Sequence, residues 1–123
     1  MDEQNRARAR VKTERISVRF MADGAESVGY LKNVSRAGIF IRAQDLPRPG
    51  AAVALQFRSP SGVLVDLRGE VRWNTHGLTA VASAGFGVAI QEPSREYVEF
   101  FLWALERSKD EEKETGGTGF PIG

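Results

Sequence analysis

The 123-residue sequence predicts a mainly β domain, either an antiparallel barrel or a sandwich, followed by one C-terminal α-helix. Between residues 16 and 90, short segments alternate apolar and polar side chains, and turn-forming residues separate them. After Pro93 the apolar spacing changes to three and four residues, which is typical of an amphipathic helix. Closure into a barrel would also leave no strand edge open to another chain.

The first three predicted strands are separated by turn residues. Asp23 and Gly24 favour a hairpin turn, because both residue types adopt the positive φ angles that tight turns require. The segment ending at Gly38 is polar and should interrupt the sheet. In order, the predicted elements are an alternating strand over 16–20, a turn over 22–26, a strand over 28–34 and a short apolar strand over 39–41.

The next three strands follow the same pattern. Pro47 and Pro49 predict a loop, since proline has no N–H to donate to the hydrogen bonds between strands. Serine, proline and glycine at 59–62 predict a turn. Trp73 and Phe86 occupy alternating positions of their strands, and aromatic side chains contribute most of the area of a core, so we expect both in the core. The alternating residues predict strands over 53–57, 63–73 and 86–90.

The helix is predicted to begin after Ser94, which suits an N-cap, and to fade near Lys109, where charges crowd. Trp103 lies off the main apolar stripe, beside Phe100. We expect that side of the helix to contact a partner protein or a second copy of the chain. The predicted buried stripe consists of Tyr97, Val98, Phe101, Leu102 and Leu105.

The composition excludes several kinds of site. Without cysteine, the chain has no disulfide, thiolate metal site or cysteine nucleophile. With a formal charge of +1, the chain has no strong overall electrostatic field that would attract it to nucleic acid or to a membrane. His76 is the sole histidine, and no nucleophile has a matched base, so we expect neither an enzyme nor a metal or cofactor site. We find no signal peptide and no apolar run near the ~20 residues that span a bilayer, and expect a cytoplasmic protein.

Two short motifs carry the candidate site. Arg6 and Arg10 supply planar cations, whose rigid donor forks suit phosphate and the O6/N7 edge of guanine. Asn33 and Ser35 donate and accept hydrogen bonds around a base edge. Gly38 lets a flat ligand approach the backbone, because it has no Cβ. Together the motifs indicate a binding site for a guanine nucleotide.

In this order and spacing, the motifs resemble those of the PilZ domain family. The family pattern is Arg-x-x-x-Arg near the N-terminus, followed after the second strand by Asp or Asn, x, Ser, x, x, Gly. The resemblance extends from Arg6 to about Leu105. It implies a six-stranded antiparallel β-barrel with a C-terminal helix. It also implies a non-enzymatic adaptor that binds the bacterial second messenger cyclic di-GMP and acts on a downstream protein, for instance in motility or exopolysaccharide synthesis.

The resemblance also implies roles for individual residues. Arg6, Arg10, Asn33, Ser35 and Gly38 would bind the dinucleotide, with Arg8 and Arg36 as additional contacts. The chain would then divide into a flexible basic arm over 1–14, the barrel and helix over 15–108, and a flexible tail over 109–123. The arm would order over the barrel when ligand binds. Some members carry a second arginine directly before the first motif and bind a stacked ligand pair; Asn5 at that position favours one ligand molecule per chain.

Two other functions remain open from sequence. A small barrel can bind single-stranded nucleic acid through a basic groove and exposed aromatic residues. Here the basic residues cluster on the arm, which argues against that function. A PilZ-fold adaptor can also act without ligand, but such members lack the arginine pair, which this chain retains at Arg6 and Arg10.

Overall fold

In the computed structural model, which describes residues 11–77 and 84–118, six antiparallel strands form a closed barrel with one helix packed against it. The strands are β1 (Val11–Ala22), β2 (Ala25–Val34), β3 (Gly38–Arg42), β4 (Ala52–Arg58), β5 (Leu64–Asn74) and β6 (Gly85–Ile90), and the helix is α1 (Arg95–Thr118). Around the barrel the strands follow the order β1-β2-β3-β6-β5-β4. The predicted six-stranded antiparallel barrel with a C-terminal helix is confirmed.

Alternate residues of each strand fill the barrel. In β4, for example, Val53, Leu55 and Phe57 are buried and the residues between them are exposed or half-buried. Phe86 of β6 is fully buried, as predicted, and its ring meets that of Phe20 edge to face, with centroids 4.9 Å apart. The period-two pattern therefore identifies most of the core, since successive side chains of a strand point to opposite faces.

Strand β1 begins at Val11, inside the predicted arm and before the predicted start at Ile16. The physical reason is a register shift between Lys12 and Ile16 in the pairing with β2. Before the shift, buried side chains occupy odd positions, Val11 and Thr13, whereas after it they occupy even positions from Val18 onward. A bulge interrupts simple alternation, so the sequence pattern does not reveal the first residues of the strand.

The hairpin turn between β1 and β2 has the predicted form. Asp23 and Gly24 both have positive φ angles, 52° and 78°, as the two central residues of a tight hairpin turn require. Arg48 lies close by, with its Nη2 3.4 Å from Asp23 Oδ1. This turn precedes β2 and Ser35 follows it, so Asp23 and Ser35 lie at opposite ends of the barrel.

Helix α1 begins as predicted and extends past the predicted end near Lys109. The Ser94 hydroxyl accepts a hydrogen bond from the Tyr97 N–H over 3.2 Å, which is the expected N-cap. No helix in the part of the chain that the structure describes is long and apolar enough to cross a membrane.

The face of α1 that packs on the barrel differs in part from the predicted stripe. Val98 and Leu102 were expected in the core, but they are 40% and 55% exposed. Phe100 is buried and packs edge to face on Phe57, with ring centroids 5.1 Å apart. Nearly every residue from 97 to 105 is apolar, so periodicity alone does not select the buried arc. The buried residues are Tyr97, Phe100, Phe101 and Ala104.

Candidate functional site

A tight turn between β2 and β3 carries Ser35 and Gly38. The Ser35 N–H donates to the Gly38 carbonyl over 2.8 Å. The Ser35 hydroxyl accepts from the Gly38 N–H at 3.1 Å and lies 3.2 Å from the Gly38 carbonyl, to which it donates. Ser35 is buried, with 5% of its surface exposed. Its side chain therefore closes the turn, and Arg36 lies exposed at the tip.

Asn33 lies on the outer face of the barrel next to this turn. The pairing of β2 with β3 shifts register between Leu31 and Asn33, which is the mark of a bulge. Val34 is fully buried, so its neighbour Asn33, which is half-buried, points outward. Asn33 pairs directly with Phe40 of β3. The bulge thus directs the amide toward the surface at the point where the polar motif begins.

Small residues form the outer surface beside the turn. Gly38 pairs with Ala89 of β6. Both positions face outward, because their neighbours Ile39 and Val88 are buried in the core. Gly38 is buried and Ala89 is half-buried. We call the surface formed by Asn33, Gly38 and Ala89 the notch, since neither Gly38 nor Ala89 has a large side chain. On β5, the half-buried Glu70 pairs with Ala89 and borders the notch.

The start of β1 borders the notch. Val11 pairs with Val34, and Lys12 pairs with Asn33. The described part of the chain thus begins at this end of the barrel, and Arg10 directly precedes Val11 in the sequence. Among the predicted site residues, the structure brings together Asn33, Ser35, Arg36 and Gly38, whereas Arg6, Arg8 and Arg10 lie outside the described residues.

Tyr97 of α1 contacts the turn from inside the protein. Its hydroxyl donates to the Ser35 carbonyl over 2.5 Å, and the side chain is 1% exposed. A second anchor comes from β6, where the Ile90 N–H donates to the Ala37 carbonyl over 2.9 Å. The sequence places Tyr97 only in the apolar stripe. A buried tyrosine needs a hydrogen-bond partner, but the sequence does not identify which one.

Trp73 does not lie in the core, contrary to the sequence prediction. It is 47% exposed on the outer face, and its indole stacks on Phe40 with centroids 5.2 Å apart and an interplanar angle of 14°. A register shift between Val71 and Trp73 in the pairing of β5 with β6 is the cause. Val71 points inward and is fully buried, and the extra residue then turns Trp73 to the opposite face.

No group of three histidine, aspartate or glutamate side chains gathers as a potential metal site within residues 11–77 and 84–118. The site described here consists of hydrogen-bonding groups, small residues and aromatic rings around one turn. Groups of this kind are suited to binding and orienting a planar polar ligand.

Comparison with known proteins shows which family has this arrangement. A family model described as the PilZ domain matches residues 4–102. The fold is similar to that of the Bacillus subtilis inhibitor of motility (MotI/DgrA), with a TM-score of 0.68 and 16% identity over 84% of this chain and 52% of that chain. It is also similar to the Borreliella burgdorferi PlzA protein, whose crystal structure is in complex with c-di-GMP, with a TM-score of 0.61 and 12% identity over 82% of this chain and 41% of that chain.

The chain thus spans about half, or less, of the length of these two proteins. No curated protein matches the sequence. At identities of 16% and 12%, the structural similarities show the fold alone. The assignment of the chain to a family rests on the match to the family model. Since that match covers most of the sequence and the barrel has the expected strands, helix and turn motif, this chain belongs to the PilZ domain family.

Proposed function

We propose that this protein binds cyclic di-GMP and acts as a non-enzymatic signalling adaptor. The observation that supports the proposal most is the pairing of Val11 with Val34, because Val11 directly follows Arg10 in the sequence and Val34 directly precedes the Ser35 turn. Membership of the PilZ family supports the choice of ligand. The similar fold of PlzA, which is in complex with c-di-GMP, supports it further.

The arginines supply the charge that the ligand requires. Cyclic di-GMP carries two guanines and two phosphates, hence two negative charges. Arg6 and Arg10 bind phosphate oxygens and the O6/N7 edge of guanine, because a guanidinium offers parallel donors to both groups. They also stack on a base face as planar cations. Arg8 on the arm and Arg36 on the turn add positive charge at the rim.

The turn residues supply shape and hydrogen bonds. Asn33 points outward and bonds to the second edge of a guanine. Ser35 holds the turn through Gly38, and a hydroxyl has a second lone pair that accepts from a guanine N–H. Gly38 adds no side chain to the notch, so the base lies close to the backbone of the sheet there.

Ligand binding orders the arm over the barrel. Fixing the backbone of one residue costs about 1–2 kcal/mol, and a hydrogen bond to a charged group contributes about 1.5–3 kcal/mol. A few such bonds therefore offset the ordering of several residues. Hydrogen exchange measured with and without cyclic di-GMP tests this step. Slower exchange over residues 5–12 is expected, and unchanged exchange at saturating ligand contradicts the ordering of the arm.

The decisive experiment is a calorimetric titration of cyclic di-GMP into the wild type and into Arg10→Ala. We expect micromolar or tighter binding for the wild type, about −8 kcal/mol or more favourable. Arg10→Ala should lose at least about 2 kcal/mol, because it removes a charged hydrogen-bonding partner. Arg48→Ala is the matched control, since Arg48 lies at the opposite end of the barrel beside Asp23. GTP and GMP serve as ligand controls.

The titration also gives the stoichiometry. Asn5 occupies the position where a second arginine would precede the motif, and we therefore expect one ligand molecule per chain. A stoichiometry near two contradicts that part of the proposal.

Absence of heat and of saturation at millimolar dinucleotide contradicts the proposed function itself. A salt-dependent affinity for oligonucleotides in the same sample would then favour the nucleic-acid-binding barrel. Binding to neither ligand would favour a PilZ-fold adaptor that acts without ligand.

The adaptor role requires a downstream partner in the bacterial cytoplasm, which we propose contacts the exposed side of α1. Trp103 is 42% exposed there, and Arg107 lies over its ring at 5.3 Å from the centroid. Phe100 was expected on the same surface, but it is buried against the barrel and does not contribute. The same surface would serve a homodimer, which sedimentation of the wild type and of Trp103→Ala would detect.

A further inference from the structure

A half-buried carboxylate borders the notch on the side away from Asn33. Glu70 of β5 pairs with Ala89 of β6, and Ala89 pairs with Gly38 of β3, so the three residues form one row across three strands. Glu70 points outward, because its neighbours Gly69 and Val71 are buried. Glu70 and the notch therefore lie on the same surface of the barrel.

The carboxylate of Glu70 has no partner within residues 11–77 and 84–118. Neither a hydrogen bond nor an ion pair joins it to another residue there, although Arg68 lies two residues away on the same face. Asp66, the preceding acidic residue of that face, does have a partner, since Gln56 Nε2 donates to its Oδ1 over 2.9 Å. Removing a carboxylate from part of its water without a partner costs free energy, so a ligand that supplies N–H donors to Glu70 would stabilise it.

The width of the row suits one base. Neighbouring strands lie about 4.7–4.9 Å apart, so Glu70 and Gly38, with β6 between them, are about 9–10 Å apart. Asn33 lies one strand further along the sheet, on β2. A flat base placed over Gly38 and Ala89 would therefore have Asn33 on its β2 side and Glu70 on its β5 side.

A carboxylate at this position distinguishes guanine from adenine. Guanine presents two adjacent donors, the N1–H and the 2-amino group, and the two oxygens of an ionised carboxylate accept from both. Adenine presents one donor and one acceptor on the same edge, so one carboxylate oxygen would face another acceptor. The amide of Asn33 carries both a donor and an acceptor and can bond to either base.

We infer that Glu70 selects guanine in the notch, by accepting hydrogen bonds from the N1–H and the 2-amino group of one base of the dinucleotide. This inference rests on the proposed binding of cyclic di-GMP. The phosphates that attract Arg6 and Arg10 are common to all cyclic dinucleotides, whereas the 2-amino group belongs to guanine. Glu70 is thus a specificity-determining residue outside both sequence motifs.

A carboxylate that only hydrates the barrel surface makes a different prediction. Glu70 would then act on the ligand through its charge alone, which would weaken the binding of all cyclic dinucleotides equally, because all carry two negative charges. Replacing it would raise every affinity together and leave their ratios unchanged. The ratio of affinities for two cyclic dinucleotides therefore separates recognition of the base from the effect of charge.

The test compares cyclic di-GMP with cyclic di-IMP, an analogue of the same charge whose bases lack the 2-amino group. Calorimetric titration of the wild type should show a preference of about tenfold or more for cyclic di-GMP, as expected for a hydrogen bond to a charged group. In Glu70→Gln, which keeps the size of the side chain and replaces one acceptor oxygen with a donor, the preference should fall to about threefold or less. Glu70→Ala, which removes both acceptors, should lower it likewise.

Asp66→Asn is the matched control. Asp66 carries the same charge on the same face of β5, four residues from Glu70 and about 13 Å along the strand. Its substitution should therefore leave the preference of the wild type unchanged. Cyclic di-AMP is a second ligand control, and its affinity relative to cyclic di-GMP should rise in Glu70→Gln, because an amide can donate to the acceptor of adenine. Urea unfolding of each variant establishes that the titrated protein is folded.

The outcomes separate the inference from the proposed function. If the wild type does not bind cyclic di-GMP, the proposed function fails and this inference fails with it. If the wild type binds cyclic di-GMP and cyclic di-IMP equally, or if Glu70→Gln keeps the full preference, the inference is overturned and the proposed function stands. An equal loss of preference in Asp66→Asn would also overturn it, since the effect would then come from charge at a distance.

Discussion

The hydroxyl of Tyr97 donates a hydrogen bond to the backbone carbonyl of Ser35 over 2.5 Å, which joins residues 62 apart in the sequence. Tyr97 lies in the first turn of α1, and Ser35 opens the turn that carries the ligand motif. The contact is buried, and in a low-dielectric interior a hydrogen bond is strong while an unpaired polar group is costly. Helix α1 therefore fixes the position of the Ser35 turn from the interior side of the protein.

Tyr97→Phe should destabilise the protein by about 1–3 kcal/mol, because it removes the donor to a buried carbonyl and changes little else. Urea unfolding followed by circular dichroism measures the change. The other tyrosine, Tyr30, is 56% exposed, so Tyr30→Phe should alter stability by less than about 0.5 kcal/mol. Equal stability of the two variants would show that the buried bond contributes nothing.

Ser35→Ala should weaken the binding of cyclic di-GMP, because its hydroxyl closes the turn through Gly38. Ser59 makes a comparable bond in another turn, where its hydroxyl accepts from the Val63 N–H over 3.1 Å. Ser59→Ala should cost about the same stability, about 0.5–1.5 kcal/mol, and leave binding unchanged. Calorimetry with urea unfolding on both variants separates the two effects. Equal affinities would contradict a role of Ser35 in the site.

Gly87→Ala should weaken dinucleotide binding, because the added Cβ would meet the indole of Trp73 at 2.5 Å and displace it from Phe40, which pairs directly with Asn33 of the site. Trp73 is partly exposed and has room to move outward, so we expect a stability loss of only about 1 kcal/mol. Gly24→Ala is the control. Its φ of +78° makes the substitution cost about 1–2 kcal/mol, but it lies at the opposite end of the barrel and should not change the affinity. Wild-type affinity in Gly87→Ala would indicate that the position of the indole does not matter.

Phe100→Ala should destabilise the protein by about 3–5 kcal/mol, since it opens a cavity against Phe57 in the interface between helix and barrel. Leu102→Ala should change stability by less than about 0.5 kcal/mol, because Leu102 is 55% exposed. Thermal or urea unfolding of the two variants tests which arc of α1 packs on the barrel. A larger loss of stability in Leu102→Ala than in Phe100→Ala would instead support the stripe predicted from the sequence, in which Leu102 is buried.

Most of the fold follows from local patterns in the sequence. Alternation in β4 and in the second half of β1 identifies strands because each residue there simply faces the core or solvent. Asp23-Gly24 predicts its hairpin, and Ser94 predicts the start of α1, because the required backbone angles and caps are local properties. The motif around Asn33 is also visible as a spacing of residues.

The wrong predictions for β1, for Trp73 and for the buried face of the helix involve contacts between distant segments. Bulges in β1 and β5 add residues to one strand relative to its neighbour, so Val11 was assigned to the arm and Trp73 to the core. A bulge is a property of a pair of strands, and a single strand's periodicity does not contain it. The apolar surface of α1 is similarly wider than the face that the barrel covers, and only packing selects Phe100 over Leu102.

By itself, the sequence determined that the protein has strands and a helix, and which polar residues form a candidate site beside a turn. The tertiary structure decided which side chains surround that site, since it brought Tyr97 beneath Ser35 and placed Phe40 and Trp73 beside the notch. The physical reason is that turns and caps depend on neighbouring residues, whereas strand register and the buried face of a helix depend on packing across the whole barrel.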